Sequence, residues 1–66
     1  MYKNLAATLN SEGISKKQFC LILGISEKSY DNKINGVTDF TYSEFKKTMV
    51  LLSKYNADYL FKKSDD

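Results

Sequence analysis

The chain contains no histidine, arginine, proline or tryptophan, and Cys20 is its one cysteine. Without histidine it lacks the commonest metal ligand and the side chain that most often acts as a catalytic base. A single cysteine can form neither an intrachain disulfide nor a cysteine-based zinc site. The sequence also offers no carboxylate pair on a recognisable catalytic scaffold. We therefore expect a protein that is not an enzyme, with no cofactor and no small-molecule ligand.

The absence of proline and the small number of glycines, three in 66 residues, favour an all-helical fold. A chain of this length forms one small domain with a limited core. No run approaches the roughly 20 apolar residues that span a bilayer. We expect no signal peptide either, because polar residues interrupt the first apolar stretch at Asn4, Thr8, Asn10 and Ser11. These features predict a cytoplasmic protein with no membrane partner, and a lone thiol suits that reducing compartment.

Three copies of a pattern typical of helix starts occur in the sequence. Ser15, Ser26 and Thr41 each stand where a side-chain oxygen can accept a hydrogen bond from a backbone N–H three residues on. Gln18 and Glu44 follow two of these caps by three residues and complete capping boxes. Apolar residues on both sides of each cap form three hydrophobic staples, namely Ile14 with Phe19, Ile25 with Tyr30 and Phe40 with Phe45.

These starts, with the helical spacing of the apolar residues, predict a compact all-α domain of four to five helices over residues 1–62. The predicted helices cover residues 2–11, 16–23, 27–35, 42–54 and 57–62, the last of them capped by Asn56. Burial is expected at Phe19, Cys20 and Leu23 in the second helix and at Phe45, Met49 and Leu52 in the fourth. Residues 63–66 are predicted to form a polar, frayed tail.

The second and third predicted helices have the layout of a helix-turn-helix. Their caps, Ser15 and Ser26, lie eleven residues apart, with Gly24 just before the second. This spacing leaves room for one short helix and a tight turn, and the motif puts its second helix into the major groove of DNA. On a helical wheel, Tyr30 and Ile34 of that helix point inward. The opposite, polar face would then point toward the DNA.

Four residues of this helix are predicted to contact bases: Glu27, Lys28, Ser29 and Asn32. Lys28 can donate to guanine, Asn32 can pair with adenine, and Ser29 can contact a base or a phosphate. Glu27 either accepts from cytosine or stabilises the helix dipole, and we favour the dipole. A polar outer face is also what any solvated helix shows. The turn spacing fixes which face points outward, and this favours base readout for Lys28 and Asn32.

Phosphate contacts are predicted on both edges of this face, at Ser15, Lys16, Lys17, Gln18, Asn35, Thr38, Thr41 and Tyr42. The first four lie at a helix start, where unpaired backbone N–H groups attract phosphate. For Ser15 the capping role is the simpler account. Lys46 and Lys47 are either further phosphate contacts or ordinary solvated lysines.

Residues 14–61 resemble the lambda-repressor/Cro-like helix-turn-helix family. The matching positions are Ile14-Ser15, Phe19-Cys20, Leu23-Gly24-Ile25-Ser26, Asn35-Gly36 and Asp58-Tyr59-Leu60-Phe61. Cys20 occupies the position where the family usually has a small residue. The segments 30–35 and 40–44 look more like a group of small phage-encoded Cro-like proteins. The resemblance implies the lambda-repressor-like DNA-binding fold.

The chain departs from the family pattern at four positions, one of them Phe40, where the family frequently has a proline. Many members have an apolar residue in place of Lys33 and a glutamate in place of Ile34, so the inward position has moved by one. Lys16 replaces a glutamine that commonly holds a phosphate and buttresses the recognition helix. A lysine can keep the phosphate contact but not both hydrogen bonds.

The resemblance implies a sequence-specific transcription regulator, in particular a repressor of a phage or mobile element that occupies a double-stranded DNA operator. One domain of this size covers about half an operator, so we expect a homodimer, formed in solution or only on DNA. Tyr55, Tyr59 and Phe61 either form the dimer surface or pack back onto the first helix. The net charge of only +2 keeps an alternative open, a protein-interaction module of the same fold such as an antitoxin or antirepressor.

Overall fold

Five helices make up the computed structural model, which describes residues 1–64, and this range contains no strand. The helices are α1 (Lys3–Ser11), α2 (Lys16–Leu23), α3 (Glu27–Ile34), α4 (Tyr42–Leu51) and α5 (Ala57–Leu60). The all-helical prediction is confirmed. Within residues 1–64 no helix combines the length and the apolar character needed to cross a membrane.

The predicted caps stand at the helix starts. The side-chain oxygens of Ser15, Ser26 and Thr41 accept hydrogen bonds of 3.0–3.2 Å from backbone N–H groups three residues on. At two of these caps a second, reciprocal hydrogen bond forms. Gln18 Oε1 accepts from the Ser15 N–H at 2.8 Å, and Glu44 Oε1 accepts from the Thr41 N–H at 2.9 Å. Both capping boxes are therefore confirmed, and they define the first residues of α2 and α4.

Two helices end at least two residues earlier than predicted. α4 ends at Leu51, three residues before the predicted Lys54. Leu52 leaves the helical region of backbone space, at φ −113° and ψ 45°, and its side chain is only 2 % exposed. The helix therefore ends at a residue that the core buries, rather than at a glycine. α5 likewise ends at Leu60, two residues short of the predicted end.

The core is formed by apolar residues from α1, α2, α3 and α5 and by Leu52, which follows α4, with Leu5, Phe19 and Leu60 fully buried. Thr48 is fully buried as well, and its hydroxyl donates to the Glu44 carbonyl at 2.8 Å. The inward stripe of α4 therefore runs through Glu44, Thr48 and Leu52. Phe45 and Met49 were predicted to be buried. Both lie beside this stripe and are only half-buried, so that part of the prediction was wrong.

Both ends of the described chain pack beside the end of α3. The Tyr2 N–H donates to the Ile34 carbonyl at 2.8 Å, and the Ser64 N–H donates to the Met1 carbonyl at 2.8 Å. The Tyr2 ring meets Phe40 and Phe61 edge-on, with centroids 5.5 and 5.9 Å apart. Of the predicted frayed tail, Lys63 and Ser64 make contacts, Lys63 pairing with Asp39 at 3.5 Å. Asp65 and Asp66 lie outside the described residues.

The three residues considered for a dimer surface have different surroundings. Phe61 packs among the core aromatic rings, 5.4 Å from Phe40 and 5.1 Å from Phe45 between ring centroids. The Tyr55 hydroxyl donates to Glu12 Oε2 at 2.6 Å, at the end of α1. Tyr59 is 49 % exposed. Two of the three aromatic side chains therefore pack against the chain itself.

Candidate nucleic-acid interface

α2 and α3 are joined by the short connection 24–26, which holds them at a fixed angle. Gly24 has a left-handed φ of +74°, the conformation that glycine adopts most easily. The N–H groups of Gly24 and Ile25 both donate to the Cys20 carbonyl, at 2.8 and 3.0 Å. Ser26 then caps α3. The direction of α3 is thus set by backbone hydrogen bonds as well as by packing.

Cys20 lies at this junction, as predicted. It is 4 % exposed, and its thiol donates to the Ser26 carbonyl at 3.7 Å. Burial raises the pKa of the Cys20 thiol. A neutral, enclosed thiol is a poor nucleophile, so the side chain fills space between two helices.

The inner face of α3 carries Tyr30 and Ile34, both buried as predicted. The Phe19 and Tyr30 rings meet edge-to-face with centroids 5.8 Å apart. Burial raises the pKa of the Tyr30 phenol, which therefore stays protonated at neutral pH. Because α3 is only eight residues long, these anchors determine which side chains point away from the core.

The four residues predicted to contact bases lie together on α3, within two turns. Glu27 and Lys28 are exposed, whereas Ser29 and Asn32 are half-buried. Asn32 is partly covered because the chain folds back after α3. The N–H groups of Val37 and Thr38 donate to the Asn32 carbonyl at 2.8 and 3.3 Å.

An ion pair connects the start of α2 to the outer side of α3. Lys16 Nζ lies 2.8 Å from Asp31 Oδ1, and both side chains are about half exposed. The hydrogen bond to Asp31 raises the pKa of Lys16, so this side chain carries its charge at neutral pH. Lys16 thus buttresses α3 directly, and it is one of the residues predicted to contact phosphate.

The other residues predicted at this edge differ in what holds them. The side-chain oxygens of Ser15 and Gln18 are engaged in the capping box of α2. Lys17 is exposed. The N–H groups in the first turn of a helix have no acceptor within the helix, so this end of α2 offers backbone donors next to two lysines.

The second predicted edge follows α3. Its members, Asn35, Thr38, Thr41 and Tyr42, are all exposed. Thr41 uses its hydroxyl oxygen to cap α4. Tyr42 is 74 % exposed, and Lys46 Nζ lies 5.5 Å from the centroid of its ring. Tyr42 also lies near Ile22, at the C-terminal end of α2, whereas Lys16 and Lys17 lie at the opposite end. The two predicted edges are therefore separate surfaces.

A buried ion pair that the sequence pattern did not predict connects α3 to α4. Lys33 is 7 % exposed, and its Nζ lies 3.0 Å from Glu44 Oε1 and 2.9 Å from the Asp39 carbonyl oxygen. Burial alone would raise the pKa of Glu44. Hydrogen bonds from the Thr41 backbone and from Lys33 outweigh that effect, and the pKa lies below its ordinary value. The same carboxylate thus completes the cap of α4 and forms an ion pair with α3.

A sequence signal for this pair exists. Lys33 lies three residues after the inward Tyr30, so its Cβ shares the inner face of α3. A lysine at an inward position requires a buried acceptor, and a capping-box glutamate is one that is already held near the core. Both Lys33 and Ile34 are buried, so the inner face is wider than the two-residue stripe of the wheel.

Comparisons with family models, with curated proteins and with solved structures found no match for this chain.

Proposed function

We propose that this chain is a sequence-specific DNA-binding transcription regulator that reads operator DNA in the major groove with α3. The observation that carries the proposal is the two-faced arrangement of α3. Tyr30 packs on Phe19 of α2 and Ile34 is buried beside it, while Lys28 stands exposed on the opposite side. A short helix with a rigidly held inner face and a polar outer face fits the width of the major groove.

Each outward side chain has a chemically defined role in this proposal. Lys28 donates to guanine O6 or N7, and Asn32 pairs with adenine N6 and N7. Ser29 contacts a base or a phosphate. Glu27, in the first turn of α3, complements the helix dipole.

Phosphates on either side would orient the domain. Lys16 and Lys17 lie with the free N–H groups at the start of α2, and Thr41 and Tyr42 lie at the start of α4. Lys16 is already charged and already positioned by Asp31. On DNA, Lys16 would either leave Asp31 to bind a phosphate or bind both anions at once.

Repression would be steric, because a protein on the operator blocks polymerase. We propose a Cro-like repressor of a phage or other mobile element, acting in the cytoplasm as a homodimer. One α3 covers one half-site, and two half-sites one helical turn apart require two copies.

Selection of bound sequences from a random duplex pool tests the proposal. We expect enrichment of a two-fold symmetric site, with affinity that falls steeply as salt is raised. Enrichment of an asymmetric half-site would contradict the proposed homodimer but not DNA recognition by α3. Absence of any enrichment, together with salt-independent binding to bulk duplex, would contradict DNA recognition and favour a protein-interaction module.

A further inference from the structure

A groove lies between the end of α2 and one face of α4, and the DNA-binding proposal involves it only at Tyr42, which lies at the start of α4. We call it the α2–α4 groove. Its volume is about 750 Å³, and it is lined by Ile22, Tyr42, Ser43, Lys46, Lys47, Val50 and Leu51. Tyr42 is 74 % exposed, Val50 79 % and Ile22 43 %. Single exposed apolar residues are common, but these share one concave surface.

The apolar surface continues beyond the groove. Leu21, 74 % exposed, and Ile14 line an adjoining hollow that shares Ile22 with the groove. Along α4, Tyr42, Lys46 and Val50 recur every four residues and lie on the side opposite Thr48 and Leu52. The fold does not need these side chains for its core, so their alignment on one face favours a partner.

The charges of the groove decide what kind of partner fits. The charged residues that line it are Lys46 and Lys47, and within residues 1–64 neither pairs with a carboxylate closer than 4 Å. A second copy docked symmetrically on this face would bring the same lysines together. A DNA backbone would match the lysines but leave the apolar floor uncovered. An amphipathic helix with acidic flanks matches both the floor and the lysines.

We propose that the α2–α4 groove binds an amphipathic helix of another protein, with apolar side chains at i and i+4 and acidic residues on its flanks. Tyr42 and Val50 are eight residues apart, which spans about 12 Å along α4 at about 1.5 Å per residue. Two to three turns of a partner helix cover that length. This surface stands apart from the outward face of α3, so the inference does not depend on DNA binding.

The test uses the full chain, labelled with 15N, and a synthetic helical peptide of about four turns with leucines on one face and glutamates on its flanks. The control peptide carries lysine in place of every glutamate. We expect the acidic peptide to shift the amide signals of Ile22, Lys46 and Val50, and to bind at least about tenfold more tightly than the control peptide. Equal binding of the two peptides, or no shift at the groove, would overturn the proposal.

Matched variants locate the site. Val50→Glu and Lys47→Glu should each weaken the acidic peptide about tenfold or more. Val37→Glu and Lys62→Glu make the same changes at exposed positions outside the groove and should bind as the wild type does. Lys47→Glu keeps the test valid if Val50→Glu fails to fold, which circular dichroism would reveal. If the groove variants and the control variants lost equal affinity for the acidic peptide, the α2–α4 groove would not be its binding site and the proposal would be overturned.

Two other occupants are distinguished in the same experiment. If sedimentation shows a wild-type dimer that Val50→Glu converts to a monomer, the occupant is a second copy and the proposal is wrong. If duplex DNA shifts the groove amides and Val50→Glu weakens DNA binding, the groove belongs to the DNA surface and the proposal is also wrong. Neither result alters the test of α3 by sequence selection.

Discussion

Cys20 illustrates how one side chain sets the distance between two helices. It is buried where α2 meets the connection to α3, and its thiol reaches the Ser26 carbonyl. We expect Cys20→Ala to preserve the fold and DNA binding, because a smaller residue still lets the helices approach. Cys20→Leu should destabilise the protein by about 1–3 kcal/mol through overpacking. Urea denaturation measures both, and a loss of activity in the alanine variant at unchanged stability would indicate a chemical role for the thiol.

The outward residues of α3 give the sharpest test of specificity. Lys28→Ala and Asn32→Ala should each cost about 1–3 kcal/mol of affinity for the selected site, because each removes a base contact. Fluorescence anisotropy on the selected site and on a scrambled duplex measures the difference. Lys62→Ala removes the same charge at another exposed position and serves as the control for Lys28→Ala. Equal losses on both duplexes would mean that these residues contact phosphate.

The Lys33–Glu44 pair predicts a difference between single and paired substitutions. Lys33→Ala leaves the Glu44 carboxylate mostly buried without its cation and should destabilise the protein by about 3–5 kcal/mol. Replacing both, Lys33→Met with Glu44→Gln, should stay within about 1–2 kcal/mol of the wild type, because no charge is buried and glutamine can still complete the cap. Thermal and urea unfolding test this order of stabilities. A double variant as unstable as the single one would mean that the pair is itself a major source of stability.

Acid titration provides the control for this pair. The pKa of Glu44 is lowered in the folded protein. Its stabilising contribution is therefore fully present above the ordinary value of 4.5 and is lost as the pH falls through the folded value. The free energy of unfolding of the wild type should decrease more steeply over this acid range than that of the double variant. Parallel pH profiles would assign the acid sensitivity to other carboxylates.

At the scale of the elements, α2 contributes charge at one end and apolar surface at the other. Lys16→Ala with Lys17→Ala should weaken binding to all duplexes alike, because these lysines meet the DNA backbone in our proposal. Removing one phosphate contact should flatten the slope of log affinity against log salt by about 0.9 per protomer. Anisotropy titrations at several salt concentrations give the slope. An unchanged slope in the double variant would remove α2 from the DNA surface.

The helix starts could be predicted from the sequence, whereas the helix ends and the interior contacts could not. Ser15 and Thr41 mark their helices because capping is local and needs only residues within one turn. The burial of Leu52 was predicted, but the end of α4 at that residue was not, because no glycine or other local stop signal marks it. The position of Lys33, three residues after the inward Tyr30, indicates its burial but not its partner Glu44, which lies eleven residues on and was expected only to cap α4.

In the candidate site too, some features follow from the sequence and others depend on how the helices pack. The inward positions Tyr30 and Ile34 follow from helical periodicity, and both are buried. The Lys16–Asp31 pair joins two elements and depends on the angle between them, which periodicity does not encode. The α2–α4 groove also depends on that arrangement, because Ile22 and Val50 are far apart in the chain.

At the scale of the whole molecule, the first residues close the core. Tyr2 is 6 % exposed, bonds to the end of α3 and packs its ring on Phe40 and Phe61. Tyr2→Ala should cost about 3–5 kcal/mol, a large share of the roughly 3–10 kcal/mol expected for a domain of this size. Tyr2→Phe keeps the ring and should change stability by less than about 1 kcal/mol. Chemical denaturation compares the two, and equal losses would mean that the hydroxyl rather than the ring is what matters.

The backbone hydrogen bond between Met1 and Ser64 makes a circular permutant of the chain feasible. Because the Ser64 N–H already donates to the Met1 carbonyl at 2.8 Å, a short glycine linker can join these ends without moving a helix. Gly13 is exposed and lies in the turn between α1 and α2, so the chain can be opened at that turn. A circular permutant of this design would begin with α2 and α3 and finish with α1. A label could be attached at the new ends for single-molecule work.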